Sequence, residues 1–147
     1  MVRYFKSRRV GACFDGWDIP PTIWIRNDVT DLEMFHECMH FEDYLRRGRT
    51  NYLTGEQIIE IPENRKFEEF EKLLLTRKIP KKDRLISTYV KEKYVYDKIL
   101  EEQDRWLDLF GKGRFSPQDM RLSKANIDDA SNACKKAGID VNKIVIK

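Results

Sequence analysis

The spacing of apolar and polar residues changes several times along the chain, and each change predicts an element. Residues 3–15 mix β-forming and charged side chains up to a glycine-bounded turn, which predicts a strand. After Gly16 and the Pro20-Pro21 pair, Ile23 and Ile25 alternate with Trp24 and Arg26, the two-residue period of a half-buried strand. The period then lengthens. Thr30-Asp31-Leu32-Glu33 fits a capping box, in which the Thr30 hydroxyl and the Glu33 carboxylate each satisfy an amide at a helix start. A helix from about Asp31 to Arg47, closed by Gly48, follows. A polar loop and a short strand at Gln57 to Ile61 lead to a helical repeat through Phe67, Phe70 and Leu74, which Pro80 ends. The longest helical pattern runs from Asp83 to about Leu109 and carries Leu85, Tyr89, Val95, Tyr96, Ile99 and Trp106 before Gly111 and Gly113 break it. Ser116-Pro117 opens a last helix, expected to reach Gly138 with an interruption near Asn126, and the tail IDVNKIVIK reads as a closing strand. Strands near both ends thus flank a mainly helical middle, so the predicted class is α+β.

Composition narrows the function. A chain of 147 residues predicts one domain, 1–147, large enough to bury a core without staples. Its charged residues, 36% of the total, sum to only +3 and are interspersed, which argues against a nucleic-acid partner. Cys13, Cys38 and Cys134 are odd in number and lack CxxC spacing, so free thiols are expected. No apolar run is long enough to span a membrane, and MVRYFKSRRV lacks the apolar core of a signal peptide, so any export is expected by another route.

The chemistry concentrates in His36-Glu37-Cys38-Met39-His40. Residues four apart on a helix stand one turn above each other, so His36 and His40 can aim two imidazoles at one point, as zinc requires. Glu37 lies about 100° round from His36, close enough to act as general base on a metal-bound water without becoming a ligand. On a helical wheel Met34, Cys38, Phe41 and Leu45 fall opposite the histidines, with Glu33, Asp43 and Arg47 flanking them. The competing reading is two histidines on a solvated helix face.

A catalytic zinc usually takes a third protein ligand, and no other histidine exists. A metzincin extension would need Gly at position 43 and His at 46, where this chain has Asp43 and Arg46. An acidic ligand remains, and Glu92 is the one carboxylate on the apolar stripe of the long helix, where coordination to a cation would stabilise its charge. Its alternative is a partly exposed carboxylate paired with Lys or Arg. Asp43 either orients a histidine or is solvated. Tyr96 is the candidate phenol for a transition-state oxyanion, against a core-packing role for it and for Tyr89. Cys38 reads as a small core residue, and Arg46-Arg47 as a solvated helix end. The strand from Thr22 to Asn27 is a candidate edge for pairing with an extended peptide.

Two blocks, PPTIWIRNDVTDLEMFHECMHFEDYLRRG and VKEKYVYDKIL, resemble the zincin-like metallopeptidase toxin domains of bacterial polymorphic toxins, of the HExxH gluzincin type. In that family a Pro-Pro-Thr-Ile strand feeds a Thr-capped HExxH helix, and a later Glu-x-Tyr-Val-Tyr helix completes the site. The resemblance implies a minimal zincin-like fold, with a small sheet packed on the HExxH helix. It also implies a zinc-dependent endopeptidase in which His36, His40 and Glu92 are ligands and Glu37 is the base. Delivery from a bacterium into a target cell by a specialised secretion system, a protein substrate and a cognate immunity protein follow from the same resemblance. The rival readings are a catalytically silent zincin-like binding module and another metal-dependent hydrolase.

Overall fold

The computed structural model describes residues 2–4, 11–54 and 81–144. Three strands, β1 (Val2–Tyr4), β2 (Ala12–Asp15) and β3 (Thr22–Ile25), precede four helices among these residues. The helices are α1 (Asp31–Arg47), α2 (Arg49–Thr54), α3 (Lys81–Phe110) and α4 (Pro117–Lys136), followed by a 3-10 turn at Val141–Lys143. The chain is α+β and mainly helical. The expected strand at Gln57 to Ile61 and the repeat through Phe67, Phe70 and Leu74 lie outside the described residues.

The strand expected over 3–15 is two strands, which pair on opposite sides of β3: β1 in parallel, β2 antiparallel. Both edges of β3 are therefore occupied, so it cannot take up an extended peptide as its sequence had indicated. Among the described residues β1 and β2 form the two margins of the sheet. Arg26 N–H donates to the Gly11 carbonyl at 2.8 Å, and an antiparallel ladder alternates. Cys13 and Asp15 thus turn their backbone groups to β3, while Ala12 and Phe14 turn theirs outward.

α1 is bounded as its sequence predicts. The Thr30 hydroxyl accepts from Glu33 N–H at 3.1 Å, and the Glu33 carboxylate accepts from Thr30 N–H at 2.8 Å. The helix is buried on two sides. Met34, Cys38 and Phe41 pack on Ala12, Ile23 and Ile25 of the sheet, while Leu32, Phe35 and Met39 pack on Val95, Ile99 and Phe115. The apolar stripe then turns through Tyr44 onto Tyr52 and Leu53 of α2. Leu45, expected on the buried stripe, is consequently left 63% exposed.

Tyr89 and Val90 of α3 pack on Ile127 and Cys134 of α4, with Ile139, Val141 and Ile144 closing over them. α4 runs through Asn126 unbroken. The tail does not form a strand over the described residues, because the Asp140 carboxylate captures Asn142 N–H at 3.0 Å and winds the chain into a turn. Between α3 and α4 the Gln103 amide bonds both the N–H and the carbonyl of Phe115 at 2.9 Å. A Cβ on Gly113 would fall 2.1 Å from the Gln103 amide nitrogen, so this clamp requires glycine there. Arg114 joins Asp31 at the start of α1 to Glu102 of α3 at 2.8 and 2.9 Å, and its guanidinium lies over the rings of Phe35, Trp106 and Phe115. Among the described residues no helix is long and apolar enough to cross a membrane.

Ile99, 1% exposed at the centre of the α1–α3 contact, sets the first prediction: Ile99→Ala lowers stability by about 2–5 kcal/mol in urea unfolding, and a loss under about 1 kcal/mol would mean a loose contact. A second concerns acid. Hydrogen bonds from Arg105 first, then Arg114 and Trp106, outweigh burial and hold the Glu102 carboxyl down to about 2, against an ordinary 4.5. A depressed folded pKa stabilises above the unfolded value and is lost as pH falls through the folded one. Glu102→Gln should therefore melt a few degrees below wild type at neutral pH, with the gap closing between pH 4.5 and about 2. A gap that persists at the acid end would show that the carboxylate's charge is not what stabilises the fold there.

Candidate metal centre

The inner face of α1 carries both histidines, and the middle of α3 brings Glu92 against them. His36 Nε2 and His40 Nε2 are 3.1 Å apart; His36 Nε2 lies 3.4 Å from one Glu92 oxygen and His40 Nε2 lies 3.2 Å from the other. Ligands about 2.0–2.1 Å from a tetrahedral zinc stand about 3.4 Å apart; the two imidazole nitrogens are near that spacing, and each has a different oxygen of Glu92 near it. His40 is 7% exposed, which excludes histidines on a solvated face. Among the described residues the Glu92 carboxylate pairs with imidazoles and not with Lys or Arg. His36, His40 and Glu92 form a group that could hold a metal ion.

The electrostatics agree with a cation at this point. Burial disfavours a charged His36, but the hydrogen bond and the charge of Glu92 outweigh it and raise the imidazole pKa. Burial likewise opposes charge on Glu92, and hydrogen bonds from His36 and then His40 hold its carboxyl far below the usual carboxylate range. Two imidazole lone pairs and a carboxylate facing one another need a proton or a cation between them.

The other face of His40 is held by a residue that sequence periodicity did not indicate. Tyr52 of α2 places its buried hydroxyl 3.2 Å from His40 Nδ1. An imidazole ligating through Nε2 carries its proton on Nδ1, so the phenol oxygen would accept it and fix the ring's orientation. Burial, followed by the charge of Asp43, pushes the Tyr52 phenol far up, so it stays neutral. Lys91 Nζ lies over the Tyr52 ring, 4.6 Å from its centroid, and burial, then the charge of Arg47, brings its ammonium down to about 8. Neither expectation for Asp43 holds. It is 0% exposed and bound by Arg46 at 2.8 Å and Arg47 at 3.0 Å, with no hydrogen bond to a histidine, so it braces the end of α1. Arg47 is correspondingly buried, its side chain 3% exposed, where a solvated end was expected.

Glu37 leaves α1 toward the sheet, and its Oε2 accepts Phe14 N–H at 2.6 Å from the outer edge of β2. Oε1 has no hydrogen bond among the described residues. Beside Glu37 and His36 a cleft of about 300 Å³ opens, walled by Gly11 and Ala12 on one side and by Asp119 and Ser123 of α4 on the other. Cys38 faces the sheet, as expected of a small core residue. Tyr96 does not join the triad. About 40° round α3 from Glu92, it packs with Tyr89, Val90 and Ile127 toward α4, whereas Val95 and Ile99 lie on the side of α1. The phenol beside the triad is that of Tyr52, and it meets the outer nitrogen of His40, not the cleft. No protein-family model, curated protein or solved structure matches this chain. The functional reading therefore rests on the site itself.

Calorimetric titration with zinc tests this geometry. His36→Ala, His40→Ala and Glu92→Ala should each abolish tight binding, and Tyr52→Phe should weaken it about 10–100-fold with the helical content retained. Undiminished affinity in Glu92→Ala would remove Glu92 from the ligand set.

Proposed function

We propose that the chain is a zinc-dependent endopeptidase. The observation that carries this is the meeting of His36, His40 and Glu92 around one point, with His36 and Glu37 lining an open cleft. His36, His40 and Glu92 would hold the zinc, which when bound would supply a Lewis acid for the scissile carbonyl and lower the pKa of a water. Glu37, whose Oε2 is held by the Phe14 amide, would be the group that takes a proton from an attacking water through Oε1 and returns it to the departing amine. Ala12, whose amide and carbonyl face away from β3 at the cleft and have no strand partner among the described residues, offers the pairing edge for an extended substrate. Tyr52 positions His40. The resemblance to polymorphic toxin domains extends the proposal to delivery from a bacterium by a specialised secretion system, a protein target in the recipient cell and a cognate immunity protein.

The test is proteome-wide mapping of new protein termini in cells expressing wild type or Glu37→Gln, with the metal content of both proteins measured. Wild type should generate termini that the variant makes about 10²–10⁴-fold more slowly while both retain zinc. Equal cleavage by Glu37→Gln would overturn the general-base role. Zinc in both without any new termini would favour a binding module.

A further inference from the structure

The turn of α1 that follows His40 carries a carboxylate that touches none of the three presumptive ligands. Asp43 is 0% exposed; Arg46 and Arg47 both donate to its Oδ1, while its buried Oδ2 has no hydrogen-bond partner among the described residues. A buried carboxylate oxygen without a donor calls for an explanation. Tyr52 crosses the same turn. Its hydroxyl lies 3.2 Å from His40 Nδ1, and its ring centroid lies 5.7 Å from that of Tyr44. Residues three and four along a helix from His40, here Asp43 and Tyr44, share its face. Asp43 therefore stands on the face that Tyr52 covers. Among the charges around the phenol, that of Asp43 acts on it most strongly, ahead of those of Glu37, Glu92 and Arg47.

The phenol hydrogen turns about its C–O bond between two acceptors, His40 Nδ1 and the Asp43 carboxylate, since the neighbouring Lys91 and Arg47 only donate. If it goes to Nδ1, His40 carries its own proton on Nε2 and has no lone pair there for a metal. If it turns to Asp43, the phenol oxygen accepts from Nδ1–H and Nε2 is free. An ionised carboxylate is the stronger acceptor of the two. We infer that Asp43 is a positioning residue of the metal centre, acting through the Tyr52 hydroxyl to hold His40 in the tautomer that ligates through Nε2. Without a metal Glu92 pulls the other way, because its Oε1 lies 3.2 Å from His40 Nε2 and favours the proton on that side. Asp43 offsets that pull. The inference rests on the reading of His40 as a ligand and is independent of which bond the protein cuts.

The experiment measures the zinc affinity of the full chain, by competition with a chromophoric chelator, for wild type, Asp43→Asn, Tyr52→Phe and the double variant. Asparagine keeps an oxygen for the two arginines and so turns its amide NH₂ toward Tyr52, which reverses the polarity the phenol meets. Asp43→Asn should weaken zinc about tenfold, whereas in the Tyr52→Phe background it should change affinity by no more than about twofold. Unchanged affinity in Asp43→Asn, or the same loss with and without the Tyr52 hydroxyl, overturns the inference. Arg46→Gln loosens the same end of α1 and leaves the Asp43 carboxylate in place; a loss of affinity as large as that of Asp43→Asn would also overturn it, by tracing the effect to the helix end. A second readout needs no metal. In chain labelled with ¹⁵N-histidine, at a pH where the imidazoles are neutral, two-bond couplings show which nitrogen of His40 carries the proton. The share protonated at Nδ1 should fall in Asp43→Asn and in Tyr52→Phe, and an unchanged share overturns the inference. If wild type binds no zinc, the metal centre is lost, and the tautomer alone decides whether Asp43 acts on His40.

Discussion

Two imidazoles and a carboxylate enter the contact between α1 and α3, and none of the three could be left there alone. A polar group withdrawn from water must find a partner or destabilise the fold, and a charged one more so. The histidines and Glu92 satisfy one another at hydrogen-bonding distance, and the packing on either side holds them in register. Val95 and Ile99 fix the position of α3 against Leu32 and Phe35, so the height of Glu92 along its helix is set by apolar contacts one and two turns away. Arg114 secures the same alignment from the outside by tying Asp31 to Glu102.

α1 therefore works as an inner element and not as the surface helix its composition indicates. The sheet covers the side with Met34 and Cys38, α3 covers the side with the histidines, and α2 closes the C-terminal end through Tyr44. This explains why a residue as polar as Asp43 is fully buried: the arginine pair that follows it folds back as its counter-charge. It also explains Tyr52, whose ring fills the aromatic cluster with Phe14 and Tyr44 while its hydroxyl reaches His40. A single side chain thus joins the core to the centre.

Local signals were legible wherever the residues that make them are adjacent in sequence. The capping box at Thr30, the four-residue spacing of His36 and His40, and the break at Gly111 are all short-range, and each element they define stands where it was expected. Glu92 was legible for a different reason, as a carboxylate out of place on an apolar stripe. What could not be read depends on which faces meet in space. Tyr89 and Tyr96 share the stripe with Glu92, yet a modest rotation about α3 sends them to α4. Periodicity gives the angle but not the neighbour. Tyr52 sits in a six-residue helix after a glycine, too short to show a period, and the pairing order that makes β3 central is a property of the assembled sheet.

The hydrogen bond from Phe14 to Glu37 ties the chemistry to the outer margin of the sheet. Among the described residues the far side of β2 is unpaired, and an open margin of a sheet exposes backbone groups that can recruit another chain, which natural proteins protect. Here the carboxylate proposed as the base also occupies one of those amides. Glutamine at position 37 retains an oxygen that can accept from Phe14, whereas alanine would leave that amide bare. The two substitutions are therefore not equivalent: the first would remove only the proposed base, and the second would also leave an amide bare at the margin of the sheet.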